Sequence, residues 1–266
     1  GPTSFTARIA GSTQCAVLRA LPVRPSRDIF IRHTAAATPQ GDNSMGQFIE
    51  LQSADGHRFQ AYVAQPAGKA RGAIVIAPEI FGVNSHIRAV TDGYAADGYL
   101  AIAPALFDRA QRGYDTGYSP DEIQAGVAVM QKVSLDDALR DVETCVAHVA
   151  SAGKVGIVGY CWGGTVAWVA AAKVSGLACS IPYYGGGIYG QIASKARCPV
   201  MFQFADQDKS PTLAQAREIA AAHPQAIAHF YAAGHGFNCD HRGSYDAASA
   251  TLAKQRALEF LALHVG

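Results

Sequence analysis

From residue 47 to the C-terminus, short apolar runs alternate with longer amphipathic stretches. Runs such as Gly72-Ala73-Ile74-Val75-Ile76-Ala77 and Val155-Gly156-Ile157-Val158 are continuously apolar, as expected of a strand covered on both faces of a parallel sheet. The pattern predicts strands over 47–53, 57–64, 72–78, 98–103, 154–159, 178–183, 199–205 and 226–232. The first two read as a hairpin turning at Ala54-Asp55-Gly56. Helices are predicted near 84–96, 121–131, 134–151, 163–174, 212–222 and 244–264. Ser134-Leu135-Asp136-Asp137 has the character of an N-cap followed by an acidic first turn. This alternation predicts a mostly parallel, doubly wound α/β sheet of about eight strands with crossover helices. No internal repeat or low-complexity linker divides 45–266, so this stretch is expected to be one domain.

One junction in the pattern carries chemistry. The run Lys154-Val155-Gly156-Ile157-Val158 leads into Gly159-Tyr160-Cys161-Trp162-Gly163-Gly164, and Thr165-Val166-Ala167-Trp168 continues as a helix. A strand, a sharp glycine-rich turn and a helix with a nucleophile at the apex make the G-x-S-x-G elbow, here with sulfur in place of oxygen. The glycines allow strand and helix to approach closely while the apex residue takes a strained backbone conformation. The elbow presents Cys161 together with the first amide N–H groups of the helix, which suits attack on an acyl carbon.

Composition narrows the setting. The chain has 266 residues, 49% of them hydrophobic and 16% charged, with a formal net charge of +1. That length suits one large α/β domain. Near-neutral charge without a Lys/Arg block gives no reason to expect nucleic acid or an anionic membrane as partner, and no apolar run approaches the roughly 20 residues that cross a bilayer. Of the six cysteines, none forms a C-x-x-C pair and none has a His at zinc-like spacing from a second Cys, so no metal is expected. Cys145, Cys179 and Cys198 read as small buried hydrophobes, and a reducing, cytoplasmic compartment fits this usage. Residues 1–44 stand apart: rich in Arg, Ser, Thr and Ala without periodicity, they are expected to be an upstream or expression-derived extension with little fixed structure and no catalytic role.

A nucleophilic thiol needs a base, and in this fold order the acid and the His follow the nucleophile, each after a later strand. Pro199-Val200-Met201-Phe202-Gln203-Phe204-Ala205 is followed by Asp206-Gln207-Asp208, and the next strand leads to Gly234-His235-Gly236-Phe237. His235 is the candidate base. Asp206 and Asp208 compete as its orienting carboxylate, with Asp208 favoured because it lies deeper in the turn. Glu79, in Ala77-Pro78-Glu79-Ile80-Phe81-Gly82, follows the third strand. There a carboxylate can act as a second proton acceptor, or as a charge that opposes the thiolate at rest.

With these residues the chain resembles the dienelactone hydrolases (carboxymethylenebutenolidases), a cysteine-nucleophile branch of the α/β-hydrolase superfamily. The resemblance spans roughly 47–264 and rests on Pro78-Glu79-Ile80-Phe81-Gly82-Val83-Asn84, Gly159-Tyr160-Cys161-Trp162-Gly163-Gly164, Tyr183-Tyr184-Gly185, the Gln207-Asp208 turn and Gly234-His235-Gly236-Phe237. It implies a triad of Cys161, His235 and Asp208, with Glu79 taking the thiol proton when substrate binds, and oxyanion donors at the backbone N–H groups of Trp162 and Ile80. It implies a small carboxylate-bearing lactone as substrate, gripped by Arg109 and a second arginine. Cys239 stands near the second arginine's expected place, and Arg242 is the substitute further along. Phe81, Tyr184 and Phe237, with Tyr160, Trp162 and Phe107, are the candidate pocket wall.

The expected reaction is hydrolysis of a lactone or ester, of the dienelactone-to-maleylacetate type, without a cofactor, in a monomer or small homo-oligomer. Two alternatives stay open. One is a carboxylesterase or thioesterase with no carboxylate requirement, which the missing second arginine favours. The other is a non-hydrolytic protein of the same fold that binds a ligand or senses oxidants through Cys161.

Overall fold

The computed structural model describes residues 46–266; the expectations for 1–44 lie outside the described residues. The strands form one eight-stranded sheet, β1 (Gln47–Gln52), β2 (Arg58–Ala64), β3 (Ala73–Ala77), β4 (Leu100–Pro104), β5 (Val155–Tyr160), β6 (Leu177–Tyr183), β7 (Met201–Ala205) and β8 (Ile227–Tyr231). Their spatial order is β1-β2-β4-β3-β5-β6-β7-β8. β1 and β2 pair antiparallel as a hairpin, β2 also pairs antiparallel with β4, and every later pairing is parallel. Six α-helices lie among the described residues: α1 (Ser85–Ala96), α2 (Pro120–Met130), α3 (Leu135–Val149), α4 (Trp162–Lys173), α5 (Leu213–Ala222) and α6 (Ala247–His264).

The continuous apolar runs are continuous because alternate residues serve two cores. In β3, Val75 and Ala77 join a core with Leu139, Val142 and Val146 of α3 and Val166 and Trp168 of α4. Ile74 and Ile76, pointing the other way, join a second core with Ile87 and Tyr94 of α1 and Ala257, Phe260 and Leu261 of α6. A period of two, with both faces buried, hides the alternation from the sequence.

Helix starts follow capping chemistry. Ser134 accepts a hydrogen bond from the Asp137 N–H and opens α3; Ser119 and Thr212 form capping boxes with Glu122 and Gln215 at α2 and α5. The last helix begins at Ala247 rather than near 244, because Asp246 is its cap and accepts from the Ser249 N–H at 2.7 Å. β3 has β4 on one side and β5 on the other, so the chain's winding direction reverses there. In an open α/β sheet the crevice at the carboxyl ends of such strands is where ligands bind.

Candidate active site

Cys161 sits at that crevice, between the end of β5 and the start of α4. Its backbone takes φ 57° and ψ −119°, a conformation that a side-chain-bearing residue holds only when its surroundings enforce it. They do so through two close approaches. A Cβ on Gly159 would stand 1.9 Å from the Gly163 carbonyl oxygen, and one on Gly163 would stand 2.1 Å from the Ala77 oxygen. Only glycine lets β5, α4 and the end of β3 meet this tightly. The Cys161 N–H is tied to the Tyr183 carbonyl at 3.1 Å.

The structure brings Cys161, His235 and Asp208 into one line. His235 Nε2 lies 3.1 Å from Cys161 Sγ, and its Nδ1–H donates to Asp208 Oδ2 at 2.8 Å. Asp208 is buried, and its other oxygen accepts the Ser210 N–H at 2.9 Å. Asp206 instead gives its backbone N–H to the Tyr231 carbonyl and has no part in the line. Burial alone would lower the pKa of His235, but the adjacent Cys161 sulfur and the bond to Asp208 outweigh it and push the imidazole up to about 10. A protonated imidazole at this position can give its proton to a leaving oxygen.

Glu79 follows β3 and is fully buried. Its hydrogen-bond partners are not on the nucleophile: Arg242 Nη1 donates to Oε1 at 3.2 Å, and the Tyr118 hydroxyl makes a long 3.5 Å contact with Oε2. Arg242 is the cation paired with it. The Arg242 guanidinium also lies 5.6 Å above the Phe81 ring. Ile80 and Trp162 line the same cleft as Cys161. Trp162 opens α4, where first-turn N–H groups lack acceptors within the helix.

Four residues expected to contact substrate are engaged within the protein instead. Arg109 spends its guanidinium elsewhere: Nε and Nη2 donate to Asp141 at 2.9 and 2.8 Å, and Nη1 and Nη2 to Asp55 at 2.9 and 3.3 Å. The reason is the completely buried Asp141, whose carboxylate requires a partner. Phe81, Tyr184 and Phe237 are buried packing residues. Phe237 packs on Tyr183, Tyr184 and Tyr231 in the second core, and Tyr184, at φ 34°, supports the His235 ring from 5.2 Å. Tyr160 is likewise buried, and Phe107 stacks on Trp162 at 4.9 Å.

The space beside the sulfur is a cleft of about 420 Å³ lined by Ile80, Val127, Met130, Leu135, Cys161 and Trp162, with Thr165, Gly186, Gly187 and Gln191. No charged residue is among them. Sequence reasoning missed Val127, Met130 and Leu135. The available signal was an apolar i, i+3 pair on α2, whose buried residues are Gly126 and Val129.

A parallel sheet with a nucleophile elbow and an ordered Cys–His–Asp line defines an α/β-hydrolase-like protein. The family model for the dienelactone hydrolase family matches residues 59–265, and the chain belongs to that family. It is 36% identical over 227 residues to a carboxymethylenebutenolidase of Pseudomonas putida, covering 80% of this chain and 95% of that one. It is 30% identical over 226 residues to carboxymethylenebutenolidase 1 of Cupriavidus pinatubonensis, covering 81% and 96%. A solved structure from Klebsiella pneumoniae, provisionally named a dienelactone hydrolase, superposes with a TM-score of 0.70 at 28% identity over 82% of this chain and 98% of that one. No helix among the described residues is long and apolar enough to cross a membrane.

Proposed function

We propose that this chain hydrolyses a lactone or ester through a covalent thioester on Cys161. The observation that carries the reading is the unbroken line Asp208–His235–Cys161 beside a substrate-sized cleft. The thiolate attacks the acyl carbon, and the tetrahedral oxyanion is held by the Trp162 and Ile80 N–H groups. His235, oriented by Asp208, protonates the leaving oxygen and then takes a proton from the water that cleaves the thioester. Glu79 takes the thiol proton when substrate arrives. Arg242 is the cation that a substrate carboxylate can win from Glu79, because a single 3.2 Å contact joins them. A carboxylate-bearing lactone of the dienelactone type therefore both binds and releases the auxiliary base. The substrate chemistry named for the relatives agrees with this.

One observation favours a second reading. The cleft has no charged lining and Arg109 is engaged by Asp55 and Asp141, which suits a neutral ester or thioester with an apolar acyl group. Steady-state hydrolysis of cis- and trans-dienelactone beside a neutral aryl ester of similar size separates the two, with Cys161→Ala as control. Strong preference for the lactones supports the first reading; equal or faster cleavage of the neutral ester supports the second. Full activity of the variant on either substrate removes the nucleophile assignment.

A further inference from the structure

Glu79 has neighbours that the hydrolytic reading does not use. One carboxylate oxygen of Glu79, a ring nitrogen of His86 and the Cys239 sulfur all lie within 4.8 Å of one another, and all three residues are buried. They come from separate segments: the turn after β3, the first turn of α1, and the loop beyond His235. That loop is folded back by the Cys239 N–H on the Gly236 carbonyl and the Arg242 N–H on the Cys239 carbonyl, at 2.9 and 3.1 Å.

The second observation concerns His86. Its side chain is 5% exposed, and Nδ1 lies 3.0 Å from Asp240 Oδ1. With that nitrogen committed, Nε2 is left to accept, and it is buried without a hydrogen-bond partner. Buried polar atoms are almost always paired, so an orphaned one needs an explanation. A carboxylate that fixes one nitrogen and leaves the other for a metal is the usual support of a metal-binding His.

We propose that Glu79, His86 and Cys239 form a binding site for a divalent transition metal of the zinc type, with Asp240 orienting His86. One carboxylate, one imidazole and one thiolate suit that class, and three protein donors leave a fourth position open. Donors 2.0–2.3 Å from a tetrahedral zinc stand about 3.3–3.8 Å apart, so the three close by roughly 1 Å on binding. The Cys239 thiol proton is released to solvent as the sulfur binds. On its outer side His86 lines an open cavity of about 390 Å³ together with Asp240, Asn238 and Lys254. The ion competes with Arg242 for the charge of Glu79, so occupancy frees the guanidinium and holds the carboxylate in place.

The site shares Glu79 with the hydrolytic reading, so the test reads metal binding and not turnover, on the full chain carrying Cys161→Ala, which removes the rival Cys161–His235 pair. Titration with Co²⁺ is expected to give one ion per chain with a thiolate-to-metal charge-transfer absorption that Zn²⁺ bleaches. Cys239→Ser abolishes the band. His86→Gln and Asp240→Asn each weaken binding by about 10-fold or more. Arg242→Met, which removes the competing cation, tightens it. Absence of the band in the Cys161→Ala chain overturns the proposal without any further substitution. So does a band that survives Cys239→Ser, or binding that is lost with His241→Ala and kept with Cys239→Ser, the behaviour of a surface histidine pair. The Arg242→Met arm keeps the test decisive if Cys239→Ser fails to fold: weaker binding there also overturns it.

Discussion

Arg109 is expected at one arginine position of a substrate-carboxylate grip and Arg242 only as a substitute for the missing second one, and the structure treats them differently. Arg109, 11% exposed, makes four hydrogen bonds to Asp55 and Asp141. Arg242, 17% exposed, makes one contact with Glu79 and otherwise rests on the Phe81 ring. Their exposure is nearly the same, so burial does not separate them. Saturation does. A guanidinium with four donors placed in a fork is a structural clamp. One held by a single 3.2 Å contact can exchange its carboxylate for a ligand's. The chain thus contains one region whose charges hold the fold and another whose charges are left to react.

The widest test of this division sets the nucleophile against the clamp. Cys161→Ala should lower kcat by at least about 10³-fold while lowering the thermal unfolding midpoint less than the clamp variant does, because the half-buried thiol only borders the second core. Arg109→Met should do the reverse. It leaves Asp141 buried without its cation, which costs about 3–5 kcal/mol of stability, read by urea denaturation, with kcat within a few-fold at temperatures where the chain stays folded. A loss of turnover in Arg109→Met exceeding its loss of stability would return that residue to the site.

Arg242→Met sits between these. It should cost roughly 1.5–3 kcal/mol through Glu79, less than the clamp does. It should also raise KM for a carboxylate-bearing lactone about 10-fold, the value of one weakened charge-assisted contact, with little change for a neutral ester. Equal effects on both substrates would mean that Arg242 only serves Glu79.

The sequence made the chemistry of this region more legible than its surroundings. Gly159, Cys161 and Gly163 are spaced by a steric requirement, and the acid and His235 by strand ends, so chain order named the nucleophile and the base and left Asp206 and Asp208 as the two candidate acids. The engagement of Arg109 was not legible because a motif position does not show what lies across space; Asp55 and Asp141 are 54 and 32 residues away along the chain. The burial of Phe237 and Tyr184 was not legible because an aromatic beside a catalytic loop serves packing as readily as a pocket wall. The strand ladder was legible from apolar runs, whereas helix ends waited on which Ser or Asp actually capped. His86 gave no signal at all, since its partner Asp240 is 154 residues away.

The protonation of the reactive line offers a smaller effect with a definite sign. His235 is raised to about 10 from an ordinary value near 6.5. A raised His favours the folded state while protonated there, so its contribution is whole below about pH 6.5. It declines as pH rises and is gone above about 10. Unfolding free energy of the wild-type chain should therefore fall across that window. Cys161→Ala should flatten the fall, because the sulfur is the leading cause of the upward shift. The clamp gives no such slope, as Arg109 is pushed further above its already high value by Asp141 and Asp55 against the cost of burial. An unchanged slope in Cys161→Ala would place the linkage elsewhere.

The smallest expected effect bears on the cleft. Val127 is 36% exposed on α2 and lines the space beside Cys161 with Met130 and Leu135. Because the lining carries no charge, a cation introduced there acts on substrate without disturbing an existing pair. Val127→Lys should change stability by no more than about 0.5 kcal/mol, as for an exposed position. It should shift the ratio of kcat/KM for a charged over a neutral ester by a few-fold toward the charged one, the scale of a screened contact at a solvent-exposed rim. The shift should shrink as salt is added. The same substitution in Arg242→Met decides whether the two cations share a task. If Arg242 is the exchangeable partner of a substrate carboxylate, Val127→Lys partly restores the charged substrate in that background. If Arg242 only neutralises Glu79, the lysine acts by the same factor with or without it, and the distinction drawn between the two arginines narrows to one of stability.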